Sequence, residues 1–347
     1  MGMLRSKWLI IIGILFMGIS CENMLFEPDA AADPVSIFEE IWDFTDRHYS
    51  FFEEKNIDWL ARGDYYRQYL QDEMGPIGLF DLCADMLYEL RDGHVNLLSS
   101  FDRSRNWAWF LNSPENFNYA IIQRNYFIDR QRFVGPLHYF VFEGEPDLSG
   151  ADDVVYVYYG SFAQAIGGGH LDMVINAARN RAGLIIDVRS NGGGSIENAR
   201  RLAERFTDQR VFVGTNWVKN GPGHEEFRQS EVHIEPHDGL VFNGPVVVLT
   251  NRKSYSATTY FAQYMKALPN AILVGDTTGG GGGMPAVRDL ANGWQLRVSS
   301  SRFIDPDGMS IESGVVPDYL VYMSASGQAE GRDDILEKAI EIVRNAH

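Results

Sequence analysis

The sequence predicts an α/β protein with a largely parallel sheet flanked by helices. Two observations carry this expectation. From about residue 152 onward, apolar runs of strand length alternate with segments of helical period, as in a sheet wrapped by crossover helices. Within that region residues 184–188 (Leu-Ile-Ile-Asp-Val) carry too few polar residues for a half-exposed strand, so burial on both faces is expected. Asn191 breaks the run, Gly192, Gly193 and Gly194 turn the chain tightly, and Ser195 is suited to cap a helix reaching about Phe206. A strand, a glycine turn and a helix N-terminus form a site for negative charge. That charge is either a bound phosphate or the oxyanion of an acyl-transfer transition state.

The elements follow in chain order. Arg5 and Lys7 precede an apolar run of about a dozen residues, too short for a comfortable transmembrane span and suited to the core of a signal peptide. The next residues, Gly18-Ile-Ser-Cys21, resemble the lipobox of bacterial lipoproteins, with Gly18 standing where a larger aliphatic residue is usual. The resemblance implies that residues 1–21 are a lipoprotein-type signal segment cleaved just before Cys21, which is lipidated as the new N-terminus and attaches the chain to the membrane. Simple secretion or an uncleaved anchor are the alternatives. With Cys21 lipidated, Cys83 has no partner for an intrachain disulfide, and its helical setting suggests an inert core residue.

Residues 22–34 read as a tether, and residues 35–93 as an N-terminal helical subdomain with helices at 34–49, 65–74 and 77–91. Phe38, Ile41, Trp42, Tyr49 and Phe52 fall at helical spacing and suit core packing better than ligand binding. Residues 94–150 read as a short β-rich connecting region, with apolar runs at 119–122 and 138–142. The core at 151–347 has strands at 154–159, 184–188, 211–213, 245–250, 271–274 and 295–299. Its helices are expected at 171–180, 195–206, 256–267 and 335–346.

A chain of 347 residues, 45% hydrophobic, accommodates one large core or two domains. A formal charge of −17 argues against nucleic acid and against anionic membrane surfaces as partners. Three further segments carry possible chemistry. Ser256 follows a buried strand at the start of a helix, where N–H groups favour developing negative charge; a plain N-cap serine is the simpler alternative. His94, in Asp92-Gly93-His94, follows a helix end and precedes a strand, a suitable place to project into a cleft. Glycines 279–283 suggest a phosphate cradle, but no Gly-Lys-Ser/Thr follows and the next segment reads as a strand, which argues against nucleotide binding.

Taken together, residues 183–194, 251–259 and 275–279, in this order and spacing, resemble the tail-specific (C-terminal processing) serine peptidase family. That family includes the tricorn protease core and the interphotoreceptor retinoid-binding protein modules. Asp92-Gly93-His94 and the segment 305–318 (Asp-Pro-Asp-Gly…Glu312-Ser-Gly-Val-Val-Pro-Asp) resemble its histidine-bearing branch. The resemblance implies a crotonase-like β/α core with Ser256 as nucleophile, His94 as general acid/base and Glu312 orienting or supporting the site. It also implies an oxyanion hole made by the Ala257 N–H and a glycine N–H of the 192–194 turn, with Gly193 the leading choice. Three positions depart from the family pattern. Gly281 stands where the lysine branch has its lysine, Gly93 where the tricorn-like arrangement has a serine, and Thr259 where a glutamate is common.

These residues suggest a serine endopeptidase of the cell envelope acting on peptides or unstructured protein segments, with an acid limb near the ordinary histidine pKa of about 6.5. The alternative is a catalytically inactive lipoprotein that holds an extended peptide or an apolar ligand on the same fold; Gly93 and Gly281 motivate it. A crotonase-type acyl-CoA enzyme fits an exported acidic chain poorly. No cofactor or metal is expected, and no PDZ domain, since about 56 residues are too few for that module. Oligomeric state leaves no mark in the sequence.

Overall fold

The computed structural model describes residues 31–127, 131–143 and 153–346. The segment read as a signal peptide, Cys21 and most of the expected tether lie outside the described residues. Asp33 caps α1 (Pro34–His48) by accepting from the Ser36 amide, with Pro34 at the first helical position. Phe38 and Ile41 of its apolar stripe are buried together with Tyr49 and Phe52. Helix α2 (Trp59–Arg67) begins earlier than the 65–74 expectation because Asp58 caps it, accepting from the Ala61 amide at 3.0 Å. Helix α3 (Pro76–Tyr88) carries Cys83, which is fully buried, and burial pushes its thiol up to about 12.

Strands β1 (Asn96–Leu98) and β2 (Arg103–Arg105) precede a short helix α4 (Ala108–Leu111). The apolar run at 119–122 is helical rather than extended. It forms α5 (Tyr119–Ile121), which continues as a π-helical turn over Ile122–Tyr126. Asn118 caps it through the Ala120 amide, and a four-residue apolar run does not distinguish strand from helix by period. Strands β3 (Arg132–Val134), β4 (Leu137–Phe142) and β5 (Val154–Tyr159) follow, then α6 (Gly168–Ala178), β6 (Gly183–Asp187) and α7 (Ile196–Ala203), capped by Ser195. Next come β7 (Val211–Lys219), β8 (Phe227–Ile234), β9 (Val246–Thr250), α8 (Ala257–Lys266) and β10 (Ala271–Gly275). The chain closes with β11 (Pro285–Asp289), β12 (Gln295–Ser299), β13 (Ser301–Ile304), β14 (Tyr319–Leu320), α9 (Ala325–Ala329) and α10 (Asp334–Arg344).

Among the described residues the strands form three sheets. The largest has the order β14-β10-β9-β6-β5-β4-β3. It is parallel from β14 to β5, and β4 and β3 are antiparallel additions. Every residue of β6 and β9 is buried, as expected for strands covered on both faces. Leu184, Ile186, Val246 and Val248 pack toward α6, α7 and α8, while Ile185, Val247 and Leu249 pack toward α10. A second sheet, β11-β12-β1-β2, lies under the N-terminal helices, and β13-β7-β8 forms the third.

These pairings cut across the sequence divisions. The 94–150 stretch contributes β1 and β2 to one sheet and β3 and β4 to another. The helices of residues 35–93 share one core with Leu290, Trp294, Leu296 and Val298 from the C-terminal half. Phe80 and Trp294 meet edge to face with ring centroids 5.3 Å apart. No helix among the described residues is long and apolar enough to cross a membrane.

Asp187 and Arg189, the charged pair in the glycine-turn segment, are fully buried. The Arg189 guanidinium donates to Asp187 at 2.6 Å and to Asp333 at 2.9 Å. Asp333 in turn caps α10 through the Ile335 and Leu336 amides. The pair therefore fastens the closing helix to the end of β6.

Candidate active site

Two loops at the carboxyl ends of β6 and β9 are stitched together. The Asn251 side chain accepts from the Ser190 amide at 2.8 Å, the Ser254 hydroxyl donates to the Val188 carbonyl at 2.8 Å, and the Tyr255 amide donates to the Asn191 carbonyl at 3.0 Å. Ser256 sits where this paired turn enters α8. Its φ of 59° and ψ of −121° are unfavourable for a residue with a Cβ. The turn is held by the Ser256 amide, which donates to the Gly280 carbonyl at 2.9 Å. Ser256 occupies the N-cap position of α8, yet its side chain makes no capping hydrogen bond. The Oγ instead lies 3.1 Å from His94 Nε2, which disposes of the plain N-cap alternative.

His94 arrives from the end of the helical region. Asp92 folds the turn by accepting from the His94 amide at 2.8 Å, and its other oxygen accepts from the Ser299 hydroxyl of β12 at 2.9 Å. The residue is partly buried, and that desolvation holds its pKa below the ordinary 6.5, with the Asp92 carboxylate and the Gly283 carbonyl pulling the other way. The imidazole is therefore neutral near pH 7 and suited to accept a proton. Its Nδ1 is buried without a hydrogen bond of ordinary geometry among the described residues.

Glu312 lies nearby and is buried, but its contacts lead elsewhere. Oε1 accepts from Lys55 Nζ at 2.8 Å and Oε2 from the Gly282 amide at 2.9 Å. Burial and the Asp92 charge raise its proton affinity, opposed by Lys55. Glu312 thus holds the glycine loop and the lysine, and its contacts reach Ser256 and His94 only through them.

Gly193 runs against the Tyr255 carbonyl, Ser256 Cβ and the Ala257 nitrogen. Its N–H donates to Asn191 Oδ1 at 3.0 Å. The Ala257 N–H opens α8, where the helix dipole favours negative charge. The two sequence-derived donors thus lie close to Ser256, and the Gly193 N–H is engaged by Asn191.

Two departures from the family pattern share a cause. A Cβ at Gly93 would lie 2.8 Å from the Tyr255 hydroxyl oxygen. One at Gly281, whose φ is +75°, would lie 2.5 Å from the Tyr255 ring. The tyrosine fills the space on both sides and packs 4.9 Å from the His94 ring, between it and Trp109. The third departure is accommodated as well: Thr259 Oγ1 donates to the Gly280 carbonyl at 2.8 Å, so this residue also secures the glycine loop.

The model of peptidase family S41 matches residues 153–321. A crystal structure of a candidate peptidase from Parabacteroides merdae is 39% identical and superposes with a TM-score of 0.83, covering 90% of this chain and 97% of that one. The chain belongs to peptidase family S41. The model of the tricorn protease C1 domain also matches this S41 chain, at residues 30–88. Among curated relatives, the chloroplastic C-terminal processing peptidase of Tetradesmus obliquus is 29% identical over 138 residues, 40% of this chain and 28% of its own. The tricorn protease of Thermoplasma volcanium is 31% identical over 173 residues, 49% of this chain and 15% of its own. The match thus spans less than a third of either curated relative.

Sequence reasoning missed Lys55 and the part played by Tyr255. Lys55 follows Glu53 and Glu54 in a segment that reads as an ordinary charged turn, and nothing local marks it as a side chain reaching Glu312. Tyr255 was visible only as the residue before the serine.

Proposed function

We propose that this S41 chain is a serine endopeptidase of peptides or unstructured protein segments, acting through an acyl-enzyme on Ser256. The observation that carries the reading is the 3.1 Å contact between His94 Nε2 and a Ser256 Oγ that caps nothing. Ser256 Oγ attacks the scissile carbonyl carbon while its proton passes to His94 Nε2. The carbonyl oxygen, now negative, is stabilised by the Ala257 N–H and by the Gly193 N–H on its release from Asn191, each donor being worth about 3 kcal/mol. Collapse breaks the C–N bond, and the departing amine takes the proton from His94. Water then repeats the sequence on the ester, delivering its proton to the same nitrogen and releasing the new carboxylate from Ser256.

In this reading Glu312 is a positioning residue. We further infer attachment to the cell envelope through lipidated Cys21, on the strength of the N-terminal basic and apolar segment alone. The binding-only alternative loses its motivation, because Gly93 and Gly281 are explained by the packing of Tyr255 rather than by loss of a site.

A fluorophosphonate probe should label the wild-type protein at Ser256 and leave Ser256→Ala unlabelled. Peptide turnover should fall on the order of 10⁴–10⁶-fold in Ser256→Ala and in His94→Ala. Equal labelling of wild type and Ser256→Ala would remove the serine from the mechanism.

A further inference from the structure

We infer that Lys55 is a positioning residue for the reaction, joining the chain segment that carries His94 to the loop that supports Ser256. The inference rests on those two residues being the reacting pair. Lys55 belongs to the turn after α1, far from both in sequence. Its Nζ lies 2.8 Å from Glu312 Oε1 and 3.6 Å from Asp92 Oδ2, and it reaches the Arg91 carbonyl at 3.4 Å. The three side chains are nearly sealed from solvent, with relative exposures of 14% for Lys55, 6% for Glu312 and 0% for Asp92.

Each carboxylate passes the constraint onward. Asp92 accepts the His94 amide, which fixes the turn from which the imidazole projects. Glu312 accepts the Gly282 amide through its side chain and the Gly281 amide through its carbonyl. The adjoining Gly280 carbonyl accepts the Ser256 amide. One ammonium group therefore bridges two carboxyl groups, Asp92 and Glu312, that hold opposite halves of the reacting pair. Without it the Asp92 and Glu312 charges face one another uncompensated, with Glu54 adding further negative charge, and the cluster relaxes by separating. That separation moves the histidine turn relative to the glycine loop.

The test compares the full chain carrying Lys55→Met, Lys55→Arg and the double change Lys55→Met with Glu312→Gln. Readouts are the fluorophosphonate labelling rate of Ser256, and kcat and KM on a fluorogenic peptide per folded molecule. Lys55→Met should lower kcat and the labelling rate about 10²-fold, the scale of a small misplacement of reacting groups, with KM little changed. Lys55→Arg should recover part of the loss. The double variant should be faster than Lys55→Met alone, because the neutral amide still accepts from Gly282 and leaves one buried carboxylate instead of two.

Wild-type kcat in folded Lys55→Met would overturn the inference, even with a lower melting temperature, since that pattern marks a purely structural lysine. A double variant no faster than Lys55→Met would overturn it too. Should Lys55→Met fail to fold, Lys55→Arg and the double variant are compared with wild type instead, and wild-type kcat in the folded double variant overturns the inference. Failure of the wild type to label at Ser256 would instead remove the proposed function itself.

Discussion

At the scale of single residues, the chemistry rests on where His94 is buried and what surrounds it. The resemblance to the histidine branch led to an acid limb near pH 6.5; the burial of the ring moves it lower. The base works only when neutral, and desolvation disfavours the imidazolium, so protonation sets in at a pH below the ordinary histidine value. The acid limb of kcat/KM should therefore fall below about 6.5, measured on a peptide substrate across the acid range. A limb at or above that value would mean that Asp92 outweighs burial, and a rate climbing only above about pH 9 would point to a lysine base. The second lesson at this scale is Tyr255. A comparison of motifs sees Gly93 and Gly281 as two separate losses. In space they are one substitution, a buried aromatic ring in a volume that a lysine or serine side chain would need.

At the scale of elements, the glycine-turn segment divides its labour. The turn runs against Ser256, while Asp187 and Arg189 fasten α10 to β6 through Asp333. Arg189→Met would leave two buried carboxylates without their cation. The expected cost is about 3–5 kcal/mol, read as a lower urea midpoint; an unchanged midpoint would mean that the cluster takes up a proton at no cost. Most of the parallel sheet was legible in the sequence, because strands buried on both faces are unbroken apolar runs and their following helices carry apolar stripes. Ser256 and His94 stood out only through the resemblance to a family, because a serine at a helix start and a histidine after a turn each have a simpler local reading. Strand β8 was not legible, because its residues face solvent over most of their length and break any apolar period. The helical turn at 119–126 was misread for the opposite reason: its apolar start is too short to show a period.

At the scale of the whole molecule, the helical region and the core are not separable pieces. Trp294, in the turn between β11 and β12, is buried against Phe80 of the N-terminal helices. Trp294→Ala should cost about 3–5 kcal/mol, and it should loosen the β12 anchor of Asp92 as well. The checking measurement is denaturation followed alongside peptide turnover. Loss of stability with full activity per folded molecule would show that β12 does not hold the histidine turn. Lys55 was invisible to sequence reasoning at this same scale, for its partners are set by the docking of one region onto another and by no local pattern.

The serine and the histidine stand 162 positions apart, and the strands that complete the histidine's surroundings come later still. A growing chain thus presents His94 long before its partner exists. It presents Ser256 before β12 and Glu312 have been made to fix either one. Under the proposed mechanism a partly synthesised or partly threaded polypeptide holds no working hydrolase. Under that mechanism, finishing the fold is itself the act that arms the enzyme.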